Sequence, residues 1–469
     1  MIRTNHVGVD SVAHVAEPAR RFLWRQRRAD ALEGLSWFSF AVVLALFLAD
    51  GGWTYFTNIR DLPTGTGIVA GLIGSNLLLV LLLLAARLPV VDRAIGYDLA
   101  LAAHRRLGKP VLYLILAHLM LLLIGYGLAL GRDPVAQAIT MITTMPDLPQ
   151  AFIALTILVL VVLTSLVIVR HKLPYLGWYG VHLLTYAAVL LALPHQFGQG
   201  ELFAVGTWAR WYWLTLYVGT LSAVLVYRFL IPLARNLRHQ LRVAEVRAEA
   251  PGVVSVVMTG HHLDRLAAHG GQFFGWRFWS PGLHLEAHPY SLSEAPNGQS
   301  LRITVRQLGD GSHRLLSVRP GARVFFEGPY GLFTAAARTT GHTVLIGAGI
   351  GITPIRALLE DIDTPSGGLT VILRGDDEEH LYLRREVEDI CGRIGARLEV
   401  LVGLPPHQGR TWLPSAEFAA GQTISTLAPD IPDVDLFICG PKPWAELVMR
   451  DARAAGVPRH RIHAERFDW

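Results

Sequence analysis

The sequence predicts a multi-domain membrane protein: an all-α bundle of six transmembrane helices, then a small antiparallel β-barrel, then a doubly wound α/β parallel-sheet domain. Three observations carry this. Hydrophobic residues make up 52% of the 469 residues and the mean hydropathy is +0.37, too apolar for an average soluble protein. In the first half the apolar residues gather into six runs, each near the roughly 20 residues needed to cross a bilayer. After about residue 240 the runs shorten, first into alternating strand patterns and then into strand–helix alternation.

The six runs lie near 36–56, 66–88, 98–130, 151–170, 176–195 and 209–232. Basic residues decide their orientation. RRFLWRQRR (20–28), then Arg87, Arg93, Arg105, Arg106 and Lys109, then RHK (170–172), then RFLIPLARNLRHQLR (228–242) all fall on one side. The other side carries DGGWTYFTNIRDLPTG, GRDPVAQAITMITTMPDLPQ and HQFGQGELFAVGTWAR, with few cations. Both termini are therefore expected in the cytoplasm, with the chain crossing the cell (inner) membrane. No cleavable signal peptide is apparent, because the first apolar run begins too far in. The net charge of +5 comes from 42 Lys and Arg against 37 Asp and Glu, and the cations cluster beside the apolar runs. Nothing else supports a nucleic-acid partner. Cys391 and Cys439 lie far apart with no CxxC, which disfavours a disulfide framework, a cysteine-ligated iron–sulfur cluster and a structural zinc site.

Four histidines stand in the apolar runs. His104 and His118 lie in LALAAHRRLGKPVLYLILAHLMLLLIGYG, and His182 and His195 in YLGWYGVHLLTYAAVLLALPHQF. An ionisable residue inside a membrane marks a functional site by default, and neutral imidazole is a common haem-iron ligand. Two helices with two histidines each can ligate two haems, one above the other, His104 and His182 toward the cytoplasm and His118 and His195 toward the outside. The spacing of 14 from His104 to His118 is a rise of roughly 21 Å, which would set the two haems near opposite faces of a hydrocarbon layer about 30 Å thick. It also returns the side chain to within about 40° of the same face, whereas the 13 residues from His182 to His195 leave about 140° of mismatch on an ideal helix. Pro194 is expected to end or bend the helix just before His195, and Pro110 to kink or break the third span. His171 and His182 have better ideal phase, but Pro174 and Gly177 intervene and His171 sits in the polar stretch RHKLP. His182 with His195 is the preferred pair. Ordinary interhelical hydrogen bonding is the alternative for all four. Arg105 and Arg106, next to His104, can pair with haem propionates or anchor the helix by charge alone.

Beyond residue 240, VAEVRAEAPGVVSVVMTG, LRITVRQLG (301–309) and ARVFFEGPYG (322–331) read as barrel strands. HTVLIGAG leading into TPIRALLEDI, LTVILRG into a helix in the 380s, ARLEVLVG, and VDLFICG into PKPWAELVMRDARAAG read as a doubly wound sheet. HPYSLSEAP (288–296) sets an aromatic between hydroxyl residues. There Ser291 can hydrogen-bond a flavin ring edge, Tyr290 can pack on flavin or ribose, and His288 can meet a phosphate or the isoalloxazine. In RQLGDGSHRL (306–315), Gly311 and Ser312 offer a backbone N–H and a hydroxyl to a pyrophosphate, and Arg306 a fixed cation. VLIGAGIGITPIRALL (344–359) carries Gly347, Gly349 and Gly351 between a strand and a helix, with Thr353 expected as the N-cap and Pro354 as the first helical residue. FICGPKPW (437–444) puts Cys439 at a strand end, beside the place of a nicotinamide or as a small buried hydrophobe. In RIHAERFDW (461–469), Phe467 or Trp469 can stack on a flavin.

The order HPYSLSEAP, RQLGDGS, EGPYG, GAGIGITPI, CGP and a terminal ExF resembles the ferredoxin-NADP reductase-type flavoprotein domain. Joined to six helices with two histidine pairs, the whole resembles the ferric reductase/NADPH oxidase superfamily, and its bacterial members most. The resemblance covers roughly 35–469. It implies a cytoplasmic segment over 1–34, a six-helix di-haem domain over 35–235, an FAD-binding β-barrel over 236–338 and an NADPH-binding α/β domain over 339–469. It implies two b-type haems on His104 with His182 and on His118 with His195. It gives flavin roles to His288, Pro289, Tyr290, Ser291, Arg306, Gly311 and Ser312. Nicotinamide roles go to Gly347, Gly349, Gly351, Thr353, Pro354, Cys439, Gly440 and Pro441. Phe467 matches the family's terminal phenylalanine, although Asp468 and Trp469 follow it here. No calcium-binding loop is present in the pattern.

The implied activity is electron transfer from cytoplasmic NADPH through FAD and two haems to an acceptor outside, with oxygen giving superoxide preferred. A ferric or cupric reductase, a quinone-coupled subunit, or a transporter or receptor with a degenerate flavin domain are the alternatives. NADPH is preferred over NADH because Arg374, after the second strand of the sheet, or Arg410 in HQGR can meet a 2′-phosphate, although Asp376, Asp377, Glu378 and Glu379 follow Arg374 at once.

Overall fold

The computed structural model describes residues 10–199, 203–364, 367–406 and 409–465. The chain divides into two compact units, one of residues 28–231 and one of residues 232 onward together with those before 28.

The first unit is helical: α1 (Asp10–Ala49), which enters it at residue 28, α2 (Leu62–Ala85), α3 (Pro89–Ala94), α4 (Tyr97–Leu130), α5 (Pro134–Thr144), α6 (Leu148–Ser165), α7 (Val167–Arg170), α8 (Tyr175–Gly198) and α9 (Trp208–Ala223). A π-helical turn over Val224–Leu230 carries α9 into α10 (Ile231–His239), which belongs largely to the second unit. Among the described residues six helical stretches are long and apolar enough to cross a membrane: Leu23–Ala49, Leu62–Ala85, Tyr97–Leu130, Leu148–Ser165, Tyr175–Gly198 and Trp208–His239.

Three details depart from the sequence expectation. The first helix starts at Asp10, because the Ala-, Arg- and Glu-rich stretch before residue 36 favours helix, and it stops at Ala49, before Gly51 at φ +84°. Neither proline ends its helix: α4 runs through Pro110 and α8 through Pro194 to Gly198. The segment after Gly131 holds a helix, α5, opened by Asp133, whose carboxylate accepts from the Val135 and Ala136 N–H groups, with Pro134 at the first helical position. α2 and α4 lie against each other along a glycine stripe. A Cβ on Gly67 would stand 3.1 Å from Leu121 and one on Gly74 3.2 Å from Ile115, the close approach that small residues permit between helices in lipid.

The second unit opens with β1 (Arg242–Ala250), β2 (Val253–Thr259), β3 (Phe273–Phe278), β4 (His288–Ser291), β5 (Ser300–Arg306), the short α11 (Asp310–Leu315) and β6 (Val324–Tyr330). Two antiparallel sheets, β1-β2-β5 and β4-β3-β6, are joined by bridges at Arg242↔Arg323 and Leu292↔Ile303 into a six-stranded barrel. Phe274, Trp276, Phe278 and Phe326 fill its core. The strand FFGWRF is absent from the sequence reading because it is buried on nearly every residue and so shows no alternation.

The parallel sheet follows: β7 (His342–Ala348), α12 (Ile352–Asp361), β8 (Leu369–Gly375), α13 (Arg384–Ile394), β9 (Arg397–Val402), α14 (Ser415–Ala419), α15 (Ile424–Leu427), β10 (Val434–Cys439), α16 (Lys442–Ala454) and β11 (Ile462–Glu465). Its order, β11-β10-β7-β8-β9, reverses between β7 and β10. Such a reversal opens a crevice at the carboxyl ends of those two strands. The fully buried Asp435 of β10 ties down the link from barrel to sheet. It accepts from the N–H groups of Thr339 at 2.5 Å and Thr340 at 2.6 Å, and meets His463 Nε2 at 3.2 Å. Across the barrel–sheet seam, Glu386 of α13 takes both Arg302 of β5 and Arg356 of α12, at 2.7 and 2.9 Å.

Candidate functional site

The helical unit brings the four histidines together in two pairs. His104 of α4 and His182 of α8 have ring centroids 6.0 Å apart, and His118 and His195 are 6.4 Å apart. Two imidazoles that share a metal at roughly 2 Å each would have ring centres about 6 Å apart, so both pairs fit an axial-ligand arrangement. His171 lies outside these pairs, at the end of α7. Among the described residues no three His, Cys, Asp or Glu side chains gather as a metal site. Each pair offers two donors, which suits a group that brings its own equatorial ligands.

Orientation of the α4 imidazoles comes from α2. His104 Nδ1 lies 3.0 Å from the Leu81 carbonyl and His118 Nδ1 2.8 Å from the Gly67 carbonyl. A ring nitrogen held in this way fixes the tautomer and leaves Nε2 free as a ligand. The two carbonyls are 14 residues apart, as are the two histidines. A Cβ on Gly71 would collide with the His118 ring. On α8, Trp178 stacks on His182 with centroids 5.2 Å apart and donates to Ser165 Oγ at 3.2 Å, while Ser165 Oγ lies 3.4 Å from His182 Nδ1. His195 Nδ1 is buried without a hydrogen-bond partner. Arg105 and Arg106 are exposed on α4. Sequence reasoning missed the α2 contribution, although its signal, GIVAG (67–71) in an apolar run, is present.

In the barrel, β4 carries His288, Pro289, Tyr290 and Ser291. Its position is fixed by pairing with β3 and by the Trp276 indole N–H, which donates to the Tyr290 carbonyl at 3.0 Å. His288 and Tyr290 stack at 6.1 Å, and a Cβ on Gly311 would stand 2.6 Å from the His288 ring, so α11 closes on that ring. His288 Nε2 and Ser291 Oγ are buried without partners, two polar atoms that a bound ring edge or phosphate would satisfy. Burial, with the charges of Arg277 and Arg314, lowers the His288 pKa, and burial pushes the Tyr290 hydroxyl up to about 12. The Ser312 hydroxyl departs from expectation. It accepts from the Leu308 and Gly309 N–H groups and donates to the Gly309 carbonyl, so it is engaged in its own turn. Arg306 ends β5, half-buried.

At the sheet reversal, Gly347 of β7 stands opposite Cys439 of β10, and Cys439 opposite Glu465 of β11. Gly349 adopts φ +54°, and a Cβ on Gly351 would strike the Cys439 carbonyl, so the glycine loop and the CGP turn are in direct contact. Gly440 is packed on Trp444, and Pro441 precedes α16. Thr353 is not the N-cap: a tight turn over Gly349–Gly351 starts the helix early, Ile352 is its first residue, and the buried Thr353 hydroxyl donates back to the Ile350 carbonyl at 3.0 Å. Pro354 accordingly lies within the first turn of α12. Burial, with Glu465 nearby, raises the Cys439 thiol well above its ordinary pKa. A Cβ on Gly331 would be 3.9 Å from the Glu465 carboxylate, so EGPYG, CGP and the terminal acid converge. Glu465, only 5% exposed, is the acid of the terminal ExF, to which the sequence reading gave no role of its own. Arg374 turns inward, its side chain 4% exposed, paired with Asp376 at 3.3 Å, whereas Arg410 is exposed. Phe467 and Trp469 lie outside the described residues.

Comparison with known proteins bears on both units. Residues 70–193 match the family described as ferric reductase like transmembrane component. The chain is 30% identical to the ferredoxin reductase component of 3-ketosteroid-9-alpha-monooxygenase from Rhodococcus rhodochrous, over 44% of this chain, and spans 57% of that relative's length. It is 30% identical to ferredoxin–NADP reductase B of Sorangium cellulosum, over 38% of this chain and 77% of that one. The solved FAD/NAD binding domain of nitric oxide dioxygenase from Vibrio cholerae aligns at 23% identity with a TM-score of 0.38, over 49% of this chain and 98% of its own. A segment that matches the ferric reductase like transmembrane component is thus followed by a region related to ferredoxin–NADP reductase, a combination consistent with the ferric reductase/NADPH oxidase-like superfamily.

Proposed function

We propose that this membrane oxidoreductase takes electrons from cytoplasmic NADPH and delivers them singly across the bilayer to oxygen, with the balance NADPH + 2 O₂ → NADP⁺ + 2 superoxide + H⁺. The observation that carries the reading is the pairing of His104 with His182 and of His118 with His195. Bound FAD would supply the change from two-electron to one-electron chemistry, and two b-type haems the one-electron relay.

His288, Pro289, Tyr290, Ser291, Arg306 and Gly311 would hold the flavin, with the unpartnered His288 Nε2 and Ser291 Oγ as its polar anchors. Gly347, Gly349 and Gly351 let a dinucleotide approach the backbone. Thr353 and Pro354 shape the start of α12 behind them, and Gly440 and Pro441 close the other wall. Cys439, kept as a neutral thiol, would line the nicotinamide pocket and exclude water there. Phe467 or Trp469 would cover the flavin until nicotinamide displaces it. Arg410 would meet the 2′-phosphate, since Arg374 is committed to Asp376. Each histidine pair would hold one haem, which would supply one-electron chemistry between the flavin and the acceptor. Arg105 and Arg106 would face the propionates of the cytoplasmic haem.

A ferric acceptor is the second reading, favoured by the family match over 70–193. The experiment that separates them is anaerobic reduction with NADPH followed at the b-type absorption bands, then addition of air to one half and a ferric chelate to the other. Rapid reoxidation by air with superoxide formed supports the oxygen reading. Reoxidation by the chelate alone replaces it with the ferric one, and absence of any b-type band overturns both.

A further inference from the structure

The barrel begins almost where the last apolar stretch stops. That stretch runs to His239 and β1 starts at Arg242, so at most about 11 Å of chain separates them. α10, the end of the stretch, is fastened to the barrel. The Asn236 amide donates to the Phe326 carbonyl and accepts from its N–H, each at 2.8 Å, and buried His239 meets the His261 carbonyl through Nδ1 at 2.9 Å.

The neighbouring strand ends show an unusual outer face. Arg242 bridges to Arg323, the Trp279 N–H donates to the Arg323 carbonyl at 2.8 Å, and Phe325 pairs with Arg277 one step along. Alternation sends Phe278, Val324 and Phe326 into the core and leaves Arg242, Arg323, Phe325 and Trp279 outside. Trp279 is 63% exposed, with the His284 and Phe325 rings against it at 5.6 and 5.8 Å. Leu285, which follows His284 in the chain, and Leu233 and Leu237 on α10 are also exposed. Large apolar side chains gathered on a surface mark an interaction site. Interleaved with arginines and directly following a membrane span, they match the headgroup layer, where indole rings reside and cations meet anionic lipid.

We propose that this face, centred on Trp279, Phe325, Arg242 and Arg323, binds anionic lipid headgroups. The proposal rests on the membrane assignment and is independent of which acceptor the protein uses.

The test uses the full-length protein in lipid nanodiscs. Cys391 and Cys439 are both buried, so a fluorophore on Leu285→Cys labels an accessible thiol. A second probe on Phe418→Cys, exposed on α14 of the parallel-sheet region, is the control. With a headgroup-attached quencher in anionic discs, the Leu285 probe should be quenched about threefold more than the control. The difference should vanish with Arg242→Gln combined with Arg323→Gln, and at high salt. Bound-flavin absorbance reports that each variant is folded. Equal quenching of the two probes, or quenching that is the same in zwitterionic discs, would overturn the proposal. Protection of the Leu285 probe by an acidic soluble protein without lipid quenching would also overturn it and assign the face to a protein partner.

Discussion

His104 and His118 are held by α2, which offers the Leu81 and Gly67 carbonyls at the same 14-residue interval, whereas Gly347 and Cys439 meet because two parallel strands share a register. The first arrangement is made by a helix that carries none of the four histidines. The second is made by strand-and-turn motifs that themselves carry Gly347 and Cys439. The difference follows from the surroundings. In hydrocarbon a polar side chain must find its partner on another helix, because water cannot supply one. At a sheet reversal the strand ends and the loops after them already form the walls of the crevice.

The strongest way to break this comparison is at a ligand. His118→Ala should leave NADPH-driven flavin reduction intact, remove one of the two haem signals, and cut transfer to the outside acceptor on the order of a hundredfold or more, because an axial ligand is lost outright. Retained transfer would sink the pairing. Gly71→Val tests the supporting helix without touching a ligand. The new side chain would displace the His118 ring, and transfer should fall about 10- to 100-fold with an altered absorption band. Gly177→Ala, at a position with open space, should change neither.

In the sheet, Gly351→Ala should push against the Cys439 carbonyl and lower the rate of flavin reduction by NADPH about tenfold, near 1.4 kcal/mol, with the b-type absorption bands unchanged. An unchanged rate would mean that contact between loop and CGP turn is not needed. Asp435→Asn tests the opposite end of β10. Burial alone would raise this carboxyl, but hydrogen bonds from His463, Thr339 and Thr340 hold it below the usual range. A lowered folded pKa stabilises fully above the unfolded value near 4, and that stability disappears as pH falls through the lowered value. The variant should lose about 1–3 kcal/mol near neutrality and show less additional loss in acid, as read by flavin release on heating. The smallest effect expected is from Arg410→Gln. NADPH kcat/KM should drop about fivefold, close to 1 kcal/mol, with NADH unaffected, and equal losses for both would remove Arg410 from phosphate recognition.

Much of the fold and of the candidate site was legible in the sequence. HPYSLSEAP, VLIGAGIGITPIRALL and FICGPKPW each combine a strand, a turn and specific side chains in under twenty residues, so periodicity and turn chemistry locate them. The start of α12 was less legible, because a tight glycine turn moved the first helical residue to Ile352 and drew the Thr353 hydroxyl back onto the Ile350 carbonyl. The Ser312 hydroxyl, read as a phosphate donor, is taken up by its own turn. β3 gave no alternation because both of its faces are buried.

By itself the sequence determined six membrane-length apolar runs, the succession of barrel and parallel sheet, and the identity of the four paired histidines. These depend on composition and on short-range periodicity, which every residue reports locally. Only the tertiary structure decided that His195 reaches His118 despite a spacing of 13, that α2 fixes the tautomers of His104 and His118, that Glu465 closes on EGPYG and CGP, and that Arg374 is withdrawn from the surface. The first three are contacts between elements distant in the chain, set by how helices and strands pack, and no local pattern encodes them; Arg374 pairs locally with Asp376, but its burial depends on the same packing.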